Sequence, residues 1–256
     1  MLQTWLHALP FLLGAGFLTW LVSVQLRNVT IVDTLWSLMF VIAAFSYAAS
    51  TLPPGPRAQL VLVLVTVWGL RLAIYLGRRN FGHEEDRRYQ NIRRRNEPGF
   101  AWKSLYLVFG LQAVLAWVIS LPLLGAIAGD ASPLGWLDYA GAALCLVGLY
   151  FEAVGDWQLT RFKANPANAG QVMDQGLWGL TRHPNYFGDF CVWWGFGLMA
   201  LAAGGWWSLI GPALMSVLLL RVSGVTLLER DIGKRRPGYA EYIRRTNAFF
   251  PGPRRP

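Results

Sequence analysis

Residues 179–189 read Gly-Leu-Thr-Arg-His-Pro-Asn-Tyr-Phe-Gly-Asp, and an apolar run to residue 203 follows them. Proline favours the first turn of a helix, so Pro184 predicts that a helix begins there. The amide groups and the positive dipole of a helix start favour a phosphate or a carboxylate. Helix capping alone needs only Thr181 or His183 with Pro184. The other polar side chains therefore predict a binding site: Arg182, Asn185, Tyr186 and Asp189.

The whole chain has the composition of a membrane protein. Of its 256 residues, 54% are hydrophobic and only 14% are charged, which argues against an ordinary soluble domain. Seven apolar segments are long enough to span a bilayer. They predict an all-α integral membrane protein of one domain, residues 1–256, with seven transmembrane helices. The predicted helices cover residues 9–26, 31–52, 58–77, 105–128, 136–159, 187–204 and 206–228, and the last two form a hairpin that turns at Gly204-Gly205.

The basic residues predict the orientation. Of the 23 Lys and Arg residues, about 20 fall in regions that seven spans place on one side, and Arg57 falls on the other. By the positive-inside rule the C-terminus is cytoplasmic and the N-terminus is not. The net charge of +9 thus indicates membrane orientation rather than a nucleic-acid partner. No signal peptide is expected, because the first residues lack a basic region and a clear cleavage site.

No metal site or disulfide is expected. Cys145 and Cys191 each lie in an apolar run without Cys or His at metal-ligand spacing. The three histidines, His7, His83 and His183, are far apart in the sequence. A Gly-x-Gly-x-x-Gly motif after a strand is also missing, which argues against a soluble dinucleotide-binding domain.

Several ionisable residues fall inside the predicted helices. Each costs roughly 2.5–3.5 kcal/mol at mid-membrane, so such residues indicate a functional role unless they form structural ion pairs. A pair between Asp33 and Arg71 is one structural alternative. The residues concerned are Asp33, Arg71, Glu152, Asp156, Asp189, Arg221 and Glu229.

Polar segments follow helices 3 and 5 and recur in the tail, at residues 77–90, 156–165 and 238–245. An anionic lipid surface would suit the run Arg93 to Arg95, but it would repel the acids Glu84, Glu85 and Asp86. Mixed charges with amides and phenols are better suited to a polar ligand. We expect these segments and residues 182–189 to form one cytoplasmic pocket, open to an anionic cofactor and to lipid.

Four segments carry a resemblance to a known family. They are Ile31-Val32-Asp33-x-x-Trp36, Arg78-Arg79-Asn80-x-Gly82-x-x-Glu85-Asp86-x-Arg88-Tyr89, Arg182-His183-Pro184-Asn185-Tyr186-Phe187-Gly188 and Tyr242-x-x-Arg245. Residues 152–251 resemble the C-terminal part of the steroid 5-alpha-reductases, and the full pattern resembles a bacterial membrane branch of that family. The core of residues 182–188 is also similar to isoprenylcysteine carboxyl methyltransferases and phospholipid methyltransferases.

The resemblance implies a reductase in the bacterial inner membrane, with its active site facing the cytoplasm. It would use NADPH to reduce a conjugated carbon–carbon double bond in a steroid-like or other lipid substrate, as a 3-oxo-steroid 4-ene 5-alpha-reductase does. The residues expected to contact the substrate differ from those of the steroid enzymes. Those enzymes have a Gln-Glu pair near the position of Asp33-Thr34, and a tyrosine where this chain has Trp68. The implied cofactor-binding residues are Arg79, Asn80, Asp86, Arg88, Tyr89, Asp156, Arg161, Lys163, Arg182, His183, Asn185, Tyr186, Asp189, Tyr242 and Arg245.

The chemistry suggests two catalytic residues. Hydride addition to a conjugated double bond leaves an enolate, whose oxygen needs a proton donor or hydrogen-bond donor. A carboxyl group beside lipid favours its protonated form, so Asp33 is predicted to donate, together with Tyr75, one turn past Arg71. Two alternatives remain. One is an S-adenosylmethionine-dependent methyltransferase acting on a membrane lipid or prenylated substrate, and the other is a non-enzymatic lipid-binding or transport protein.

Overall fold

The computed structural model describes residues 1–129, 132–222 and 238–255, and all regular structure in these ranges is helical. The predicted all-α fold is therefore confirmed for the described part of the chain. Residues 223–228 of the last predicted helix, Glu229 and the basic residues at 230–236 lie outside it. The helices are α1 Leu2–Leu26, α2 Ile31–Ala49, α3 Pro56–Asn80, α4 Arg87–Asn96, α5 Phe100–Ser104, α6 Leu111–Ile119, α7 Leu121–Ala128, α8 Trp136–Ala164, α9 Pro184–Ala202, α10 Ile210–Val217 and α11 Tyr239–Arg245.

Five helical segments of the described chain are long and apolar enough to cross a membrane. They are α1, α2, α3, the segment Phe100–Ile119 and α8. A shorter apolar segment covers Trp206–Arg221. Several apolar helices are consistent with an integral membrane protein, whereas the sixth and seventh predicted spans and the orientation of the C-terminus stay predictions.

One compact unit comprises Met1–Gly135 and Met199–Leu209. Its helices α1 and α2 are joined by a short turn at residues 27–30, so they are antiparallel neighbours. The short helix α4 follows a charged loop and is amphipathic, because Tyr89 is buried and Ile92 packs against the same core. That core also contains Trp20, Val32, Phe100 and Phe109. Packing on this core positions the Arg-rich helix α4 beside the α1–α2 turn.

The second unit comprises Trp136–Leu198 and Ile210–Pro256. Glycines let the backbones of α8 and α9 approach closely, as in many membrane helix pairs. A Cβ atom on Gly188 would lie 2.5 Å from the Gly148 carbonyl oxygen, and one on Gly195 would lie 2.5 Å from the Cys145 Sγ. Trp194 also donates a hydrogen bond from Nε1 to the Ser216 Oγ, at 3.1 Å, which joins α9 to α10.

The helix limits correct several sequence-based boundaries. Helix α1 begins at Leu2 rather than residue 9, and Pro10 lies inside it. The fourth apolar segment begins at Phe100 rather than residue 105, directly after Gly99 with φ +86°, and it is interrupted at Ser120 before Pro122. Helix α8 extends to Ala164 rather than residue 159.

Two details of the sixth predicted helix are confirmed. Helix α9 starts at Pro184, as proline at the first helical position predicts. The chain then turns at Gly204-Gly205, where Gly204 has φ +75° and the Gly205 amide donates to the Ala200 carbonyl at 2.8 Å. A positive φ is readily adopted by glycine, which explains the position of the turn.

Candidate functional site

In the first unit, the Asp33 carboxylate joins two helices. Tyr89 of α4 donates its O–H to Asp33 Oδ1 at 2.6 Å, and Arg88 donates from Nη2 to Asp33 Oδ2 at 2.7 Å. Gln112 of α6 in turn donates from Nε2 to the Tyr89 hydroxyl at 3.3 Å. The Asp33 side chain is only 12% exposed, so the acceptor of these two bonds is largely shielded from solvent. We call Asp33, Asp86, Arg88, Tyr89 and Gln112 the Asp33 network.

A second layer of contacts holds this network in place. Asp86 caps α4 by accepting from the Arg88 amide at 2.8 Å, and its own amide donates to the Thr30 Oγ1 at 2.8 Å. Glu85 accepts from the Val29 amide at 2.9 Å and from two nitrogens of Arg93 at 2.9 and 2.8 Å. The α1–α2 turn is therefore fixed to the segment that supplies Arg88 and Tyr89.

The charges in the Asp33 network determine what it can do chemically. Burial raises the pKa of Tyr89 above its ordinary value and the nearby Asp33 raises it further, so the phenol stays protonated. Burial lowers the pKa of Arg88, but Asp33 and Asp86 outweigh it, so the pKa rises and the guanidinium stays charged. Asp33 accepts both of these hydrogen bonds, one at each carboxyl oxygen, and its role as a proton donor stays a prediction.

The other sequence-predicted residues of this unit lie at the end of α3. The Arg79 guanidinium lies 5.8 Å from the centre of the half-buried Tyr75 ring, a cation–π distance. Arg79 also donates from Nε to the Asn80 Oδ1 at 3.1 Å. The structure thus brings Tyr75, Arg79 and Asn80 together.

In the second unit, Arg182 and Tyr242 attach the tail to the segment before α9. Arg182 is 9% exposed and donates from Nη1 to the carbonyl oxygens of Thr246 at 2.8 Å and Ile243 at 3.2 Å. Tyr242 donates its O–H to the Trp178 carbonyl at 2.7 Å, and burial raises its pKa, so the phenol stays protonated. Both side chains therefore have structural contacts, and a cofactor role for them stays a prediction.

The start of α9 combines aromatic, amide and acidic groups. The rings of His183 and Tyr186 are parallel, with centres 5.7 Å apart, and Asn185 Oδ1 accepts from the Tyr186 amide at 3.1 Å. Glu152 and Asp156 of α8 are 2% and 3% exposed.

These two carboxyl groups lie on the face of α8 that packs against α9. A Cβ on Gly188 would lie 2.7 Å from Glu152 Cγ, and one on Gly155 would lie 3.2 Å from the Pro184 ring. Two buried carboxyl groups therefore border the helix start, and Asp189 lies half-buried on its first turns.

Three sequence-predicted cationic residues are exposed at the ends of helices. Arg161 and Lys163 lie in the last turns of α8, and the Arg161 guanidinium lies 5.1 Å from the centre of the Trp157 ring. Arg245 at the end of α11 lies 3.5 Å from a Glu241 oxygen. Arg161 and Lys163 are therefore accessible to an anionic ligand.

Sequence reasoning missed Gln112 and Trp178 and gave Glu85 no individual role. Gln112 had a usable signal, because a polar amide inside an apolar helix marks a buried contact. Trp178 donates from Nε1 to the Gly155 carbonyl at 2.9 Å and accepts from Tyr242. Its contacts join segments distant in sequence, so local patterning could not reveal them.

Comparison with known proteins identifies the family and two relatives. Residues 19–246 match the family described as "Protein of unknown function (DUF1295)". A probable O-methyltransferase, ustE, of Ustilaginoidea virens is 45% identical over 65 residues, which are 25% of this chain and 22% of that protein. An uncharacterized protein of Schizosaccharomyces pombe is 23% identical over 281 aligned positions, covering 94% of this chain and 80% of the relative. No solved structure matches the chain significantly.

Proposed function

The chain belongs to the DUF1295 family, and from that premise we propose that it is a membrane-embedded enzyme acting on a lipid substrate. We propose as its reaction the NADPH-dependent reduction of a conjugated carbon–carbon double bond in a steroid-like or other lipid. The Asp33 network carries this proposal. It joins residues 31–36 and 78–89, two of the segments that resemble the steroid 5-alpha-reductases.

The donors in the network suit the anion that such a reduction forms. Tyr89 and Arg88 already direct an O–H and an N–H at an anionic oxygen, at 2.6 and 2.7 Å. A substrate enolate oxygen has the same requirement for oriented donors. We assign Tyr89 and Arg88 to bind that oxygen. Asp33 orients both donors before the substrate binds, and the substrate oxygen then replaces it as their acceptor. Tyr75 remains the predicted second donor.

NADPH would supply the hydride. Each unit offers exposed cations that suit the phosphates of such a cofactor: Arg79 on α3 in the first unit, and Arg161 and Lys163 on α8 in the second. Arg79 could bind a 2′-phosphate through its planar fork of donors. Arg88 and Arg182 are less suited to phosphate binding, because acidic side chains or backbone carbonyls accept their hydrogen bonds.

A second candidate is methyl transfer from S-adenosylmethionine to a membrane lipid or prenylated substrate. Two observations favour it: the local match to a probable O-methyltransferase, and the buried acids Glu152 and Asp156 beside the start of α9. A carboxylate attracts a sulfonium by its charge, and more strongly where water is excluded.

Ligand-dependent thermal stability separates the candidates. A ligand that binds only the native state stabilises it by about 2.7 kcal/mol at a hundredfold excess over its Kd. The detergent-solubilised protein would be heated with NADPH, NADH, S-adenosylmethionine or S-adenosylhomocysteine. Selective stabilisation by NADPH supports the reductase, and stabilisation by the adenosyl ligands alone supports methyl transfer. If none stabilises the protein, non-enzymatic lipid binding or transport becomes the better interpretation.

Two variants then test the assigned residues. Tyr89→Phe should reduce enone turnover by about two to three orders of magnitude, while NADPH still stabilises the protein. Unchanged turnover would remove Tyr89 from the mechanism. Tyr186→Phe should weaken cofactor binding under either enzymatic candidate, and an unchanged Kd would place Tyr186 outside the cofactor site.

A further inference from the structure

A groove of about 850 Å³ lies between α1 and α2, away from the Asp33 network. Its lining on α2 extends from Val41 to Ser50. At a rise of 1.5 Å per residue, Ser50 lies about 25 Å along the helix from Asp33, close to the thickness of a bilayer core. The groove therefore opens towards the membrane surface opposite the Asp33 network.

The groove has an apolar part and a polar end. Phe11 of α1 with Val41, Ile42 and Phe45 of α2 forms the apolar part. Because α1 and α2 are antiparallel, His7 of α1 lies at the same level as Ser46 of α2 and Ser50 directly after it, and all three also line the groove. Its lining contains no Lys, Arg, Asp or Glu among the described residues.

Pro10 adds a hydrogen-bond acceptor to the polar end. It lies inside α1 and lacks an amide hydrogen, so the Leu6 carbonyl cannot accept the i+4 bond that an α-helix normally provides. Leu6 and Pro10 both line the groove, beside His7. A carbonyl oxygen deprived of its helical donor in an apolar setting favours an incoming O–H or N–H group.

We propose that this groove binds a lipid alcohol, with its chain along Phe11, Ile42 and Phe45 and its hydroxyl at the polar end. A hydroxyl can donate to the Leu6 carbonyl and also accept from Ser46 or His7. An ester or ketone of the same length can only accept, so it leaves the carbonyl without a donor. A lipid with a charged head group lacks an opposite charge in the groove.

Photolabelling tests the ligand class and the location together. The probe is hexadecanol with a diazirine in the middle of its chain, added to the purified full-length protein in detergent. We expect crosslinks on α1 and α2 at the groove-lining residues. Hexadecanol should compete about twofold to tenfold better than hexadecyl acetate, the range expected for one net hydrogen bond. Equal competition by the acetate, or labelling elsewhere in the chain, would overturn the proposal.

Two variants and one control make the test specific. Pro10→Ala returns the amide donor to the Leu6 carbonyl, so it should remove most of the preference for the alcohol while the probe still binds. Ala49→Trp fills the groove at an exposed position and should abolish labelling. Gly14→Ala, in the same helix and with nothing within 4 Å of the added Cβ, should leave both properties unchanged. A preference that survives Pro10→Ala would show that the carbonyl is not the acceptor.

Discussion

At the scale of single residues, the Asp33 carboxylate holds a phenol and a guanidinium from a helix 55 residues further along the chain. Asp33 is 12% exposed and Arg88 is 37% exposed, so the pair is only partly shielded. Hydrogen bonds to charged groups contribute more than neutral ones, typically about 1.5–3 kcal/mol. Asp33 should therefore contribute to stability as well as to any reaction at this site.

The variant Asp33→Asn tests that contribution. It removes the charge that pairs with Arg88 but keeps the size of the side chain, and we expect a loss of about 1–3 kcal/mol in the free energy of unfolding. The measurement is reversible unfolding in detergent micelles. The matched control is Glu97→Gln, because Glu97 is half-exposed and lies 3.9 Å from Arg93; it should change stability by less than about 1 kcal/mol. Equal stability of the two variants would contradict a structural role for Asp33.

Glu85 gives a pH prediction at the same scale. Burial disfavours its charged form, but hydrogen bonds from Arg93 and the Val29 amide outweigh burial and hold the pKa below its usual value of 4.5. A carboxyl group with a lower pKa in the folded state stabilises the protein above its unfolded pKa. That contribution should be lost as the pH falls from about 4.5 through the lower folded pKa.

The difference in Tm between wild type and Glu85→Gln should therefore shrink below about pH 4.5. Above that pH, wild type should be the more stable protein. Glu84→Gln changes the exposed neighbouring acid and serves as the control. A difference that stays constant from pH 6 down to pH 3.5 would show that the charge of Glu85 is unimportant.

At the scale of secondary-structure elements, glycines set the distance between α8 and α9. A Cβ on Gly188 would lie 2.5 Å from a backbone oxygen of Gly148 and 2.7 Å from Glu152 Cγ. A side-chain rotation cannot move the Gly148 backbone oxygen out of the way, so the substitution Gly188→Ala forces the two helices apart. The same contact positions the buried Glu152 beside the first turns of α9.

Gly188→Ala should therefore destabilise the protein by about 1–3 kcal/mol, the usual cost of overpacking. Gly14→Ala is the control, because its Cβ meets nothing within 4 Å and alanine is favoured over glycine in a helix by up to about 1 kcal/mol. Thermal unfolding of both variants in the same detergent gives the comparison. If Gly188→Ala proved as stable as the control, the close approach of α8 and α9 would not matter for stability.

Sequence patterns predicted elements better than they predicted contacts between them. Pro184 and Gly204-Gly205 marked a helix start and a turn correctly, because both depend on local backbone chemistry. The apolar pattern placed the start of α1 seven residues too late, because the helix also includes the polar residues Gln3, Thr4 and His7. The sequence gives little sign of the short helix α4, because only Tyr89 and Ile92 of its residues pack on the core. Its pairing with Asp33 depends on tertiary packing, which no local pattern specifies.

At the scale of the whole molecule, the sequence predicts that α9 and the segment after it cross the membrane. Five other helical segments have the length and composition of spans. Helix α9 has 19 residues, or about 28 Å, just enough for a bilayer core, but its first turns carry Asn185, Tyr186 and Asp189. Seven spans would place the Gly204-Gly205 turn on the non-cytoplasmic side. Five spans with a re-entrant hairpin would leave that turn within the membrane.

Cysteine labelling in oriented vesicles distinguishes these topologies. The native Cys145 and Cys191 are 1% and 3% exposed, so the background of a membrane-impermeant maleimide should be low. Leu52→Cys lies before α3 and Arg95→Cys lies after it, both at exposed positions. Because α3 crosses the membrane between them, they show the labelling expected from each face. Trp206 is 72% exposed beside the turn.

Seven spans predict that Trp206→Cys is labelled from the same face as Leu52→Cys, because α9 carries the chain across. Phe250→Cys in the tail should be labelled from the face of Arg95→Cys, where the positive-inside rule places the basic segments. If the maleimide labels Trp206→Cys from neither face, a re-entrant hairpin is favoured instead. In that case α9 and the segment after it would enter and leave the membrane on the cytoplasmic side.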